Sequence, residues 1–202
     1  MGKHERIGVF GGTFDPIHAK HLEIARAALQ QAQLDRVLFV VAARPPHKRM
    51  AITADPEDRF AMVAAAVEGE PAFEASRVEL DREGPSYTAD TLAELHRLHP
   101  GAQFWMIIGL DSLVDLPKWR SPESILSQAR PLVVPRPGKF TVPKQLEGKF
   151  DWLDLPETDI SSTEARRRIQ AGEALDDLLP DSVRRVIEQR GIYRAHSVHR
   201  KG

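Results

Sequence analysis

The 202-residue chain contains no cysteine, which excludes a disulfide framework, a thiolate zinc site and a cysteine nucleophile. Long apolar runs are missing as well. No stretch approaches the roughly 18 residues of a membrane span, and residues 1–12 carry too short an apolar run for a signal peptide. Net charge is nearly absent, 28 Lys/Arg against 29 Asp/Glu leaving -1, which argues against a nucleic-acid or membrane-surface binder held by bulk charge. Neither common glycine pattern for nucleotides occurs: no G-x-G-x-x-G follows the first apolar run and no G-x-x-x-x-G-K-[ST] is found. Internal repeats and low-complexity segments are also lacking. A cytoplasmic globular protein is the expectation, with no nucleic-acid and no membrane partner. Composition agrees, since 42% hydrophobic and 28% charged residues are close to soluble averages.

What is present is a regular alternation of short apolar runs and amphipathic stretches. Ile7–Phe10 reads as a buried strand that enters a tight turn at Gly11-Gly12. Apolar residues at three- and four-residue spacing make a helix of about His18–Gln33. Arg36–Ala43 is apolar on successive positions, as a strand covered on both faces requires. A polar loop of residues 44–56, long enough to suggest function, leads to a helix at Pro56–Val67. Then come a strand near Ala75–Leu80, a helix at Thr88–Leu98, and strands at Gln103–Ile108, Pro131–Val134 and Phe150–Leu153. Two helices, Ser161–Ala171 and Pro180–Arg190, close at Gly172 and Gly191. The expected fold is α/β, an open, mostly parallel sheet with helices on both faces and a helical C-terminal segment. Residues 1–194 form a single domain and 195–202 a frayed tail.

Charge is unevenly spread. Residues 1–50 carry eight Lys/Arg against four Asp/Glu, and residues 160–202 carry nine against six, whereas 51–159 carry eleven against nineteen. Near-neutrality therefore hides two positive ends, which suits a focused site for small phosphorylated substrates.

Those ends hold the motifs. A strand, a Gly-Gly turn and a helix start direct backbone N–H groups and the helix dipole at an anion. His18 and His21, three apart, share one helix face above that turn. There they serve a phosphoryl group as neutral donors or as imidazolium ions; a surface histidine pair is the plainer reading, and a zinc site lacks a third ligand. Near the other end, Ser161-x-x-Glu164 is a capping box. Ser162 and Thr163 add hydroxyls there, and Arg166 lies one turn inward, so the same segment serves as a second phosphate cradle. Trp119 offers a flat face in a Pro-bounded loop. Asp111 follows Gly109 at a strand end, where parallel sheets present ligands. Asp15 reads first as a turn residue held by an Asx hydrogen bond.

Gly11–Leu22, GGTFDPIHAKHL, closely resembles the GGTFDPIHxGHL signature of the bacterial nicotinate-nucleotide adenylyltransferases, members of the HxGH nucleotidyltransferase superfamily. Resemblance continues at Pro45-Pro-His-Lys48, Gly84–Leu92 (GPSYTADTL), Ile108-Gly-Leu-Asp111 with Trp119, Arg136-Pro-Gly138, and Ile160-Ser-Ser-Thr163 with Arg166. The blocks keep the family's order and span nearly the whole chain. This likeness implies a Rossmann-like fold and transfer of AMP from ATP to nicotinate mononucleotide, with Mg²⁺ carried mainly by the ATP phosphates. His18, His21 and Arg166 become the catalytic residues. Gly11, Gly12, Thr13, Phe14, Lys20, Gly109, Asp111, Ile160, Ser161, Ser162 and Thr163 become ATP-binding. Lys48, Tyr87, Thr88, Trp119 and Arg120 become mononucleotide-binding, with Trp119 stacked on the pyridine ring and the backbone at Thr88 and Arg120 on the nicotinate carboxylate. Lys48 has an equally weighted reading as a solvated loop charge. No residue is expected to bind metal on the protein's own account, and a homo-oligomer is left open.

Two positions depart from the family pattern. Ala165 replaces the usual Ile of ISSTxIR, and Lys20 occupies the Gly of HxGH, where a long stem would crowd adenine or swing its ammonium toward a phosphate. Alternative readings are an adenylyltransferase for nicotinamide mononucleotide or another phosphorylated acceptor, and a catalytically impaired nucleotide-sensing module.

Overall fold

The structure, a computed structural model, describes residues 4–45, 52–156 and 161–193. Strands β1 (Arg6–Gly12), β2 (Arg36–Val41), β3 (Phe73–Ser76), β4 (Gln103–Gly109), β5 (Ala129–Val134) and β6 (Asp151–Trp152) form one sheet in the order β3-β2-β1-β4-β5-β6. Every neighbouring pair is parallel. The helices are α1 (Ala19–Gln31), α2 (Pro56–Val67), α3 (Thr88–Leu98), α4 (Leu110–Asp115), α5 (Pro122–Gln128), α6 (Ser162–Ala171) and α7 (Asp181–Arg190). Among the described residues no helix is long and apolar enough to cross a membrane.

Successive strand residues point to opposite faces, so continuous apolar runs supply two cores. Phe10, Val37, Phe39 and Val41 pack with residues of α1, α2 and α7. Ile7, Val9, Leu38, Val40 and Met106 pack with residues of α3, α4 and α5. Helix ends follow from local chemistry. Pro56 opens α2 with Glu57 and Asp58 in its first turn, where a fixed φ and negative charge suit the N-terminus. Gly172 and Gly191 close α6 and α7 at φ +68° and +65°, a conformation glycine adopts without penalty.

The chain builds outward from β1 to β3, then returns to the middle and builds the other way from β4. Val9 sits between Leu38 of β2 and Met106 of β4. A crevice opens where such an order reverses, beyond the carboxyl ends of β1 and β4.

Two stretches differ from the expectation. The third strand covers Phe73–Ser76, earlier than Ala75–Leu80, with Phe73 paired to Val37 and Ser76 to Val40 of β2. Val78 and Leu80, whose alternation suggests a strand, instead pack singly onto the two cores from the following turn. Residues 110–118 and 122–128 are helical, in α4, a 3₁₀ turn at Leu116–Lys118 and α5, and only 119–121 form the loop that sequence spacing points to around Trp119.

Candidate active site

A cavity of about 580 Å³ occupies the crevice at the carboxyl ends of β1 and β4, within the range usual for small-molecule sites. One end is lined by Gly11, Gly12, Thr13, Phe14 and His21 from β1, α1 and the chain between them, and by Ser162, Thr163 and Arg166 from α6. Gly109 and Asp111 line it at the end of β4. The opposite end is lined by Tyr87, Thr88, Trp119 and Arg120. The two sequence motifs thus meet across one crevice although about 150 residues separate them. Lys48 and Ile160 lie outside the described residues.

The adjacent glycines differ in what they permit. A Cβ at Gly11 would meet nothing within 4 Å, so it would stand in open space at the cavity wall and the fold does not require glycine there. A Cβ at Gly12 would lie 2.8 Å from Cζ of Phe14, so Gly12 answers to the fold. At the end of β4, a Cβ at Gly109 would collide with the Asp111 carboxylate and stand 3.1 Å from Arg136 Nε.

The two histidine rings stack, centroids 3.7 Å apart and 24° between planes. His21 lines the cavity and His18 packs against it at 5% exposure. The His18 amide donates to His21 Nδ1 at 3.2 Å, which assigns the neutral His21 ring its proton on Nε2. His18 lies over the first-turn amides in the manner of a capping box, yet its buried Nδ1 makes no hydrogen bond of acceptable geometry. Burial first, and the positive Arg136 second, lower the His18 pKa to about 4. Of the two protonation states compatible with the spacing, the structure selects the neutral one for His18 at pH 7. The first amide of α1, Ala19 N, donates to the Leu178 carbonyl at 2.8 Å instead of facing the cavity.

At the start of α6, Ser161 Oγ accepts the Glu164 amide at 3.2 Å. The Glu164 carboxylate does not complete a capping box. It bonds Arg167 and Arg168, which hold its pKa at about 2. Ser161 therefore caps the helix, whereas Ser162 and Thr163 line the cavity. Ser162 Oγ donates to the Pro16 carbonyl at 2.9 Å, and Arg166 Nη1 to the Asp15 carbonyl at 2.6 Å. These bonds tie the start of α6 to the chain between β1 and α1.

Asp15, which lines the cavity, reads from sequence as a local Asx-turn residue, but its side-chain partners are distant in sequence. Oδ2 accepts the Thr53 amide at 2.8 Å, Oδ1 accepts the Ala54 amide at 3.1 Å, and the Tyr193 hydroxyl donates to Oδ1 at 2.7 Å. Arg59, 1% exposed, donates to the carbonyls of Thr13, Ala42 and Ala54. One guanidinium thereby ties together the chain just beyond β1 and β2 and the approach to α2. Sequence reasoning missed it, although a signal exists: Arg59, Met62, Val63 and Ala66 share the buried stripe of α2, and a charge on an apolar stripe needs a partner.

Lys20 does not line the cavity. Its ammonium donates to Glu23 Oε1 at 2.9 Å and to the Pro156 carbonyl at 3.1 Å, so the side chain ties α1 to the segment that precedes α6. At the other end, α3 begins at Thr88 and directs its positive end at the cavity. Trp119 sits at the end of the 3₁₀ turn, its amide bonded to the Leu116 carbonyl at 3.0 Å. Arg120 lies over the Tyr87 ring at 4.7 Å, with Nη1 3.3 Å from Asp90 Oδ2. Ser86, from the GPSYTADTL block but not singled out, also lines the cavity, as do Ser112 and Asp115, which had no motif to reveal them.

The family profile described as cytidylyltransferase-like matches residues 9–168. A probable nicotinate-nucleotide adenylyltransferase of Thermus thermophilus is 46% identical over 189 residues, covering 94% of this chain and 100% of that protein. The nicotinate-nucleotide adenylyltransferase of Bacillus subtilis is 40% identical over 189 residues, covering 94% and 98%. In fold, the chain matches the Plasmodium falciparum nicotinic acid mononucleotide adenylyltransferase solved with NaAD, with a TM-score of 0.74, 20% identity, and 94% and 98% of the two chains covered. With relatives this similar over almost its full length, the chain belongs to the nicotinate-nucleotide adenylyltransferases of the cytidylyltransferase-like family.

Proposed function

We propose that the protein transfers AMP from ATP to nicotinate mononucleotide, releasing pyrophosphate and forming nicotinate adenine dinucleotide. The observation that carries this reading is the single crevice with two unlike ends. One end has Gly11, His21, Ser162, Thr163 and Arg166; the other has Trp119 beside the N-terminus of α3. The first suits a triphosphate. The second suits a flat ring bearing a carboxylate, because the Trp119 face stacks and backbone N–H groups favour an acceptor-only group over an amide.

In this mechanism a mononucleotide phosphate oxygen attacks the α-phosphorus in line. The new P–O bond forms as the bond to the bridging oxygen of the β-phosphate breaks, and pyrophosphate leaves with that electron pair. The attacking phosphate is already anionic near neutral pH, so no general base is needed. Residues act by position and charge. His21 Nε2–H and Arg166 donate to the transferring phosphoryl oxygens, and neutral His18 fixes the His21 ring by stacking. Magnesium bound to the ATP phosphates would offset their negative charge, and among the described residues no His, Cys, Asp or Glu cluster would hold it by itself.

Pyrophosphate release from MgATP, measured in the wild type and in the single variants His18→Ala and His21→Ala, tests the reading. The expected result is acceptor-dependent release in the wild type and a kcat lowered about 100-fold or more in each variant, with modest change in mononucleotide affinity. Near-wild-type turnover in both variants overturns the mechanism.

A further inference from the structure

The chain contains two tyrosines, and both reach this site from different sides. Tyr87 lines the acceptor end. Tyr193 lies beyond α7, outside the segment that the family profile matches, and approaches the phosphate end from behind. Gly191 closes α7, and Ile192 and Tyr193 then turn inward, at 6% exposure each. Tyr193 adopts φ +64°, a conformation uncommon for an aromatic residue and held only where surrounding contacts fix it. Those contacts are specific. The hydroxyl donates to Asp15 Oδ1 at 2.7 Å and lies 4.0 Å from Met62 Sδ.

Asp15 in turn faces Arg166. Its carbonyl accepts Arg166 Nη1 at 2.6 Å, and its Oδ2 stands 3.6 Å from the same nitrogen. Arg166 reaches the Asp15 peptide and the cavity together, with its side chain 17% exposed. The carboxylate plane decides where Oδ2 stands relative to that guanidinium. Tyr193 fixes Oδ1, with the Ala54 amide as the second donor on that oxygen. Every member of this chain is buried or nearly so, where an electrostatic contact is little screened by solvent.

We propose that Tyr193 is a positioning residue for the adenylyl transfer. Through Asp15 it holds the Arg166 guanidinium in register with the phosphate end of the cavity. The proposal rests on the function given above and deepens it. It extends the catalytic apparatus to the C-terminal segment, which carries no phosphate motif of its own.

The test is a double-mutant cycle in the full chain with MgATP and nicotinate mononucleotide, following pyrophosphate release. Tyr193→Phe keeps the ring and removes only the hydroxyl. It is expected to lower kcat about tenfold while leaving the mononucleotide KM within about twofold. Combined with Arg166→Ala, it is expected to lower kcat no further, because the residue through which it acts is gone. Ile192→Val loosens the same seat without touching the hydrogen bond and is expected to lower the melting temperature with kcat unchanged. Wild-type kcat in Tyr193→Phe overturns the proposal, as does an equal tenfold loss in the Arg166→Ala background. If Tyr193→Phe fails to fold, Asp15→Asn in the same cycle carries the test with the same two outcomes. A wild-type protein that releases no pyrophosphate refutes the proposed function instead, which separates the two failures.

Discussion

Adding one methyl group at Gly11 and at Gly12 should have opposite effects, because the two positions meet different surroundings. At Gly11 the new Cβ finds no protein atom within 4 Å, and Gly11 is not among the glycines with positive φ. Folding therefore loses nothing. The unfolded chain loses freedom, which stabilises by about 0.4–1 kcal/mol and raises the melting temperature by about 1–4 °C for a chain of this size. Yet that methyl stands where a phosphate would approach the strand end. A displacement of about 1 Å in a reacting group costs on the order of 100-fold in rate. Gly11→Ala should thus melt slightly higher than wild type and turn over about 100-fold slower. At Gly12 the Cβ lies 2.8 to 3.0 Å from three atoms of the Phe14 ring, which is 2% exposed. Overpacking of this kind costs about 1–3 kcal/mol, so Gly12→Ala should melt several degrees lower. Calorimetry alongside a pyrophosphate-release assay reads both effects. Wild-type kcat/KM in Gly11→Ala would refute the idea that bare backbone at the end of β1 receives phosphate.

Two further outcomes follow from side chains at the start of α1. His18 has a folded-state pKa of about 4 against an ordinary 6.5, so between those values the unfolded chain binds more protons and stability falls as pH drops. The contribution is complete above pH 6.5, is lost progressively toward pH 4, and amounts to about 3 kcal/mol; urea titrations across that window should show the slope, and His18→Gln should remove it. Lys20→Gly breaks the bonds to Glu23 and to the Pro156 carbonyl, so the ATP KM should rise about 2- to 12-fold. A lower KM would show that the Lys20 stem obstructs the nucleotide.

Much of the fold was legible because both faces of the sheet are covered, which turns strands into continuous apolar runs and leaves helices with one apolar stripe. The motif residues were legible because Gly11-Gly12, His18 and His21 lie within one short stretch that joins the end of β1 to the start of α1. Ser162, Thr163 and Arg166 lie within another. What stayed hidden is held by contacts far apart in sequence. Tyr193 meets Asp15 across 178 residues, and Arg59 joins the carbonyls beyond two strands. No local spacing encodes such partners. The destination of Lys20 was equally invisible, since its place in the motif pointed to adenine or a phosphate, whereas its ammonium bonds Glu23 and the Pro156 carbonyl, far away in sequence. Val78 and Leu80 show the reverse error, where alternation imitates a strand while each side chain fills its own gap.

The choice of acceptor is the central claim, and one comparison tests it most directly. With MgATP fixed, steady-state pyrophosphate release should be compared for nicotinate mononucleotide and nicotinamide mononucleotide. An amide facing backbone donors leaves hydrogen bonds unmade at about 1–3 kcal/mol, so kcat/KM should favour the acid by roughly 5- to 150-fold. Equal rates, a preference for the amide, or ATP binding without pyrophosphate release on either acceptor would contradict it.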